Sequence, residues 1–240
     1  MTSTLDALSF GANDPLKLAR FWGGVLGREL SDDGLVLQPG DDTEFPIRFV
    51  SYQGPKTGPN QMHFDLTSKS PEDQQQTVAR ALELGGRHLD IGQGPDATHV
   101  VLADPEHNEF CVIAAGNNFL ADTGVIGALS SDGTQQVGYF WSKALGWPLV
   151  WDQDEETAIQ APEGGSKISW GGPPVNPKLG VNRLQLDLAA PADSDLQAEV
   201  DRLVSLGAKR SDNGQDEAGR VAMTDPDGNE FSVMRARPKR

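Results

Sequence analysis

The sequence predicts an α+β fold in which one unit is written twice. Each unit is a pair of β-α-β-β-β modules whose strands form a curved, cup-like mixed sheet with helices on its outer face. Three observations carry this. The heptapeptide DPEHNEF at 104–110 returns as DPDGNEF at 225–231. Around it, FWGGVLGREL (21–30) returns as FWSKALGWPL (140–149), FVSYQGP (49–55) as KISWGGP (167–173), and MHFDL (62–66) as LQLDL (184–188). The order is kept and the offset is nearly constant, at about 120 residues, so a whole domain is duplicated. Finally, alternating and amphipathic stretches follow one another in the same order in each copy. The units are 1–118 and 119–235, followed by a short basic tail at 236–240.

The first copy shows the plan. LDALSF alternates apolar with small or polar residues and reads as a strand. Asn13-Asp14-Pro15 then opens a helix, with a capping side chain before an early proline. Leu16, Ala19, Phe21, Trp22, Val25 and Leu26 give that helix its apolar stripe, and Gly27 stops it. Strands follow at 34–38 and 46–52, split by the turn PGDDTEF. A second round runs from a strand at 61–66 through a helix opened by Ser70-Pro71 and closed by Gly85-Gly86. Strands near 87–91, 98–103 and 109–114 complete it.

Composition narrows the function. The net charge of −15 is spread over both halves, which repels a phosphate backbone and argues against nucleic acid. No apolar run is long enough to span a membrane, and the first residues lack a secretory signal, so a cytoplasmic location is expected. Cys111, the single cysteine, excludes an internal disulfide and any zinc site built from several cysteines.

The segments LDALSFGANDP, HFDL, LELGG and LADPEHNEFCVI, matched by FWSKALGW, LQLDL, LVSLGA and MTDPDGNEFSV in the second copy, resemble the vicinal oxygen chelate superfamily. The likeness is to its glyoxalase-like and bleomycin-resistance-protein-like members and covers almost the whole chain. It implies two tandem domains with concave sheets, domain pairing within the chain, and a site in a cup. A further homodimer is left open. Enzymes of the superfamily hold a divalent ion there through a His on the first strand, a His on the fifth and a Glu on the eighth. Side-chain alternation turns Met62, Phe64 and Leu66 toward the helices and His63 and Asp65 into the cup. By the same rule Glu109 and Cys111 face the cup. The first copy therefore offers Ala7, His63 and Glu109 at the implied ligand positions, and the second offers Ile126, Gln185 and Glu230.

Neither set is complete, so no cofactor is expected. A divalent metal, with His63 and Glu109 among its ligands, is the exception that a site shared between domains would allow. His63, Asp65 and Glu109 are the candidates for acid–base chemistry. Glu109 and Glu230 also fit a structural role, accepting hydrogen bonds at the rim where the last strand begins. Tyr52, Trp151 and Trp170, with Gln185, Asp187 and Glu230, are the candidates for ligand contact, Trp170 being aligned with Tyr52. The acidic turn DQDEE (152–156) beside Trp151 is either a solvated loop or a lip that receives a cation. Two functions stand side by side. One is a binding protein of the drug-sequestering, antibiotic-resistance kind, taking a small organic ligand, planar or cationic, without a catalytic metal. The other is a glyoxalase-like lyase, isomerase or dioxygenase. That enzyme would use a metal shared between domains, or work metal-free with His63 as acid and base.

Overall fold

The computed structural model describes residues 2–94, 96–211 and 219–236, so the basic residues 237–240 of the tail lie outside the described part. Four modules follow one another. The first is β1 (Thr4–Ala12), α1 (Pro15–Leu26), β2 (Val36–Leu37) and β3 (Ile47–Ser51). The second is β4 (Met62–Leu66), α2 (Pro71–Glu83), β5 (Arg87–His88), β6 (Val100–Ala103) and β7 (Glu109–Val112). The third is β8 (Ile126–Ser131), α3 (Gln135–Leu145), β9 (Leu149–Gln153), β10 (Glu156–Gln160) and β11 (Lys167–Trp170). The fourth is β12 (Leu184–Ala189), α4 (Leu196–Ser205), β13 (Lys209–Arg210), β14 (Arg220–Thr224) and β15 (Glu230–Met234). The first module has one strand fewer; there a single bridge from Leu30 to Leu37 stands where the others have a strand.

The helices start and stop where the sequence says. The Asp14 side chain accepts from the Lys17 backbone N–H at 3.1 Å, with Pro15 just inside the helix. Gly27 and Gly146 end α1 and α3 at φ of 67° and 72°, a left-handed turn that costs a glycine nothing.

Two mixed sheets and four helices result, but a sheet is not made of consecutive modules. One sheet runs β13-β14-β15-β12-β1-β3-β2 and joins the first module to the fourth. The other runs β5-β6-β7-β4-β8-β11-β10-β9 and joins the second to the third. The joins are antiparallel, β1 on β12 and β4 on β8. The helices tie the modules the other way. Trp22 of α1 packs edge-on against Phe64 and Phe110 of the second module, each at 4.9 Å. Trp141 of α3 does the same to Phe231 of the fourth, at 5.1 Å. Each such aromatic pair contributes roughly 1 kcal/mol beyond the area it buries. The two halves are thus interlocked, by backbone ladders across the halves and by aromatic cores within them. Side-chain alternation specifies which face of a strand is buried, and it is silent on which strand lies alongside; that is why the partnering differs from the sequence order.

The repeated heptapeptide is a joint in this framework. Asp104 is fully buried and accepts the indole N–H of Trp22 at 3.2 Å; Asp225 accepts that of Trp141 at 3.1 Å. Burial pushes each of these carboxyls up to about 6, although Asn108 and Asn229 hydrogen bonds pull the other way. The third residue of each copy reaches a helix start. Glu106 accepts from the backbone N–H groups of Asn13 and Asp14 at 2.8 and 2.7 Å, and Asp227 from the N–H and hydroxyl of Thr134 at 2.7 and 3.0 Å.

Candidate functional site

Two concave faces result, a central cup from the second and third modules and a terminal cup from the first and fourth. Strand register decides what each contains. In the central cup His63 lies opposite Ser130, Ser130 opposite Ser169, Ser169 opposite Ala158, and Ala158 opposite Trp151. Residues directly opposite share a face, so this row crosses the floor of one cup. The next row is Cys111, Asp65, Ala128 and Lys167.

At the centre His63 Nε2 lies 3.5 Å from Asp65 Oδ1, and the Ser130 hydroxyl donates to Asp65 Oδ2 at 2.5 Å. Ser169 donates to Ser130 at 3.3 Å. The His63 side chain is 34% exposed, toward the cavity. Burial works against its protonated form, but hydrogen bonds and charge from Asp65 and Cys111 outweigh it and raise His63 to about 10. Burial pushes the Asp65 carboxyl up, while His63, Ser130 and Cys111 together hold it below the usual carboxylate value. Above this floor opens a cavity of about 470 Å³. Its polar wall is Asn60, Gln61, Asp132 and Glu156; its apolar wall is Trp151 with Phe119 edge-on at 6.3 Å.

The terminal cup uses the same backbone slots with other side chains. Gln185 stands for His63, Asp187 for Asp65, Ser232 for Cys111, and Ser9 for Ser130. Arg48 stands for Ser169 and Arg220 for His99. Asp187, fully buried, accepts from Ser9 at 2.5 Å, Ser232 at 2.6 Å, Arg220 at 3.0 Å and Arg48 at 3.4 Å. Arg48 also reaches Asp6 at 2.5 Å. Arg48 thus lies across the position where Ser169 lines the central cavity.

The structure places the residues singled out in the sequence as follows. His63 and Asp65 meet at the floor of the cavity, joined by Cys111 in place of Glu109. Glu109 is occupied elsewhere: it takes the Lys56 ammonium at 2.8 Å and the Asn60 N–H at 3.2 Å. Glu230 takes Lys178 at 2.6 Å and the Asn182 N–H at 3.1 Å. Each glutamate therefore pins a Lys-x-Gly-x-Asn loop, 56–60 or 178–182, to the strand that follows it in space, a motif visible in the sequence and overlooked there. Gln185 donates to the Asn182 carbonyl at 3.0 Å, and Asp187 belongs to the arginine cluster. Trp151 faces the cavity, 37% exposed.

Trp170 needs correction. It is 2% exposed and packs toward α3 beside Gly133, bordering the cavity only as part of the core. Its equivalent in register is Phe49, three residues from the Tyr52 that letter matching suggested. Tyr52 sits outside both cups with the Arg183 guanidinium 4.3 Å above its ring. Ile126 is likewise core, and Ala128 is the true counterpart of Ala7. Phe119 was missed because it lies in the linker between halves, where no periodicity signals a direction.

Comparison with known proteins settles the family. The profile of the glyoxalase-like domain matches residues 5–113 and again 128–234. The chain belongs to the glyoxalase-like domain family, in two tandem copies. Glyoxalase I from Zea mays superposes on this glyoxalase-like chain with a TM-score of 0.64 at 15% identity, covering 98% of this chain and 92% of that one. A Bacillus subtilis subsp. subtilis str. 168 protein, provisionally described as a dioxygenase, gives a TM-score of 0.62 at 13% identity, covering 99% and 86%. At these identities the likeness is one of fold. None of the curated proteins is significantly similar in sequence.

Residues of this glyoxalase-like chain do not fit the ligand set that the family resemblance implies. Ala7 and Ala128 stand where a first-strand His is wanted, and both rim glutamates are neutralised by lysines. Among the described residues one group of potential ligands converges, His63, Asp65 and Cys111, with donor atoms within 4.8 Å of one another. Within it His63 Nε2 lies 3.5 Å from Asp65, whose second oxygen takes Ser130. Also among the described residues, no helix is long and apolar enough to cross a membrane.

Proposed function

We propose that this glyoxalase-like protein binds a small, flat organic molecule in its central cup. The observation that carries this is the cavity of about 470 Å³, walled on one side by Trp151 and Phe119 and floored by His63, while in the terminal cup Arg48 stands where Ser169 lines that cavity and is paired with Asp187 and Asp6. The volume lies in the range of small-molecule sites, which combine apolar walls with a few fixed polar groups. A ring lying on the Trp151 indole would bury apolar area on both sides, and polar atoms at its edge would meet Gln61, whose amide has no hydrogen bond to the described residues.

His63 favours binding over turnover. A general base works best with a pKa near the ambient pH. Asp65 beside His63 raises its pKa and favours the protonated imidazole, which suits an anchoring group on the cavity floor better than a general base. Its role in this reading is to set the charge of the floor.

Fluorescence tests the proposal directly. Trp22 and Trp141 are buried away from the cavity and Trp147 lies by a separate one, so in a Trp147→Phe background quenching by planar aromatic compounds reports on Trp151 and on Trp170 at the cavity edge. With affinity read by calorimetry, since the substitution removes the reporter, Trp151→Ala is expected to weaken binding about tenfold or more and His63→Ala only a fewfold. Equal affinity in wild type and Trp151→Ala would move the site out of the central cup. Turnover abolished by His63→Ala with the fold intact would establish the enzymatic alternative.

A further inference from the structure

We infer that the central cup selects an organic ammonium cation, and that Glu156 is the residue that selects it; this rests on the binding reading above and names its ligand class. The acidic turn 152–156 carries four carboxylates, and the hairpin separates them by direction. Asp152 lies opposite Thr157, a buried residue on the helix side, and is held by Tyr139 and Gln135, each at 2.9 Å. Asp154 and Glu155 form the exposed tip of the hairpin, both at positive φ, 53° and 64°. Glu156 alone lines the cavity.

Its neighbours make it a cation site. Glu156 is two residues from Ala158, and Ala158 lies opposite Trp151, so Glu156 and the indole occupy diagonal positions on the same face. Phe119 closes the aromatic corner. Asp132, whose carboxylate takes a single hydrogen bond, from Asn176 at 2.8 Å, adds a second negative wall. The Glu156 carboxylate, exposed at the mouth of the cavity, has no hydrogen bond or ion pair to the described residues, whereas the less exposed Glu109, Glu230 and Asp187 have cationic partners. Aromatic faces beside an unpaired carboxylate are the surroundings in which alkylammonium groups are held, since the ring quadrupole and the charge act in the same direction. The corner already shows the chemistry on its far side, where the Lys167 ammonium stands 4.8 Å over the Phe119 ring. Lys167 is the cation of this corner and lies against Phe119, while Glu156 and Asp132 line the opposite side of the cavity. The overall charge of −15 draws cations toward those two acids.

A matched pair of probes tests this on the full chain: phenyltrimethylammonium and its neutral isostere tert-butylbenzene, with dissociation constants from Trp151 quenching. The cation is expected to bind about tenfold tighter, and that ratio to fall toward one in Glu156→Gln. Asp152→Asn, on the same hairpin but facing the helix, is expected to leave the ratio unchanged. Equal binding of both probes by the wild type would overturn the cation assignment while the binding reading stands. A ratio equally large in Glu156→Gln would remove Glu156 from the role. Failure of either probe, and of larger planar aromatics, to quench Trp151 would bring down the binding reading itself.

Discussion

The terminal and central cups are one architecture with two fillings. In both, an aspartate on the central strand, fully buried at 187 and partly buried at 65, accepts a serine hydroxyl from the neighbouring antiparallel strand, at 2.5 Å in each case. Around Asp187 stand two arginines; around Asp65 stands one histidine. An arginine has the length to cross a cup and the fork to hold a carboxylate from outside, so two of them occupy the concave space. A histidine two residues along the same strand neutralises its aspartate from beside it and leaves that space empty. The pocket follows from a few register positions, with Ser169 where Arg48 would be and His63 where Gln185 would be.

The comparison breaks most visibly at the aspartates. Asp187→Ala would leave Arg220 without its carboxylate, Arg48 with Asp6 alone and the Ser9 and Ser232 hydroxyls without their acceptor, and is expected to cost about 3 kcal/mol of stability in urea unfolding. Asp65→Ala leaves a histidine that can lose its proton beside an open cavity, so its cost should be smaller, about 1–2 kcal/mol. Equal costs would mean that the arginine cluster is as easily hydrated as the histidine site.

Much of this was legible beforehand, and the parts that were not share a cause. The duplication, the four helices and the inward direction of His63, Asp65 and Cys111 all come from local pattern, which alternation and capping residues write openly. The pairing of first with fourth module depends on which edges meet, and no local pattern encodes that. Trp170 was misdirected for a related reason. Letter similarity set KISWGGP against FVSYQGP, whereas backbone pairing places Trp170 level with Phe49. A slip of three residues is odd, and an odd slip exchanges the two faces of a strand. The twin glutamates were legible as rim residues, but their lysine partners lie about fifty residues earlier in the chain, too far for spacing to suggest them.

Charge at the central floor gives a prediction that pH can read. The folded-state pKa of His63 is raised above its unfolded value of about 6.5 to about 10. The folded chain therefore holds this proton more tightly. The stability it contributes is complete below about pH 6.5 and is lost as pH rises toward 10. His63→Gln installs the terminal-cup residue and removes this dependence. The variant should show a flatter decline of unfolding free energy between pH 7 and 10 than the wild type, measured with chelator present. Parallel declines would show that Asp65 does not hold His63 in its charged form.

The smallest expected effect concerns the clamps that both cups share. Glu109→Gln and Glu230→Gln each remove one charge from a partly exposed lysine pair while keeping a side chain that can still accept the Asn60 or Asn182 N–H. Each should cost at most about 1 kcal/mol, and less in high salt. Their functional consequences should differ even so. Asn60 and Gln61 line the central cavity directly after the Glu109-clamped loop, so Glu109→Gln should weaken ligand binding a fewfold. Glu230→Gln loosens the loop that leads into the filled cup and should leave binding unchanged. If both substitutions weakened the ligand alike, the interlocked sheets would transmit strain from one cup to the other, and the two could no longer be treated as independent sites on one scaffold.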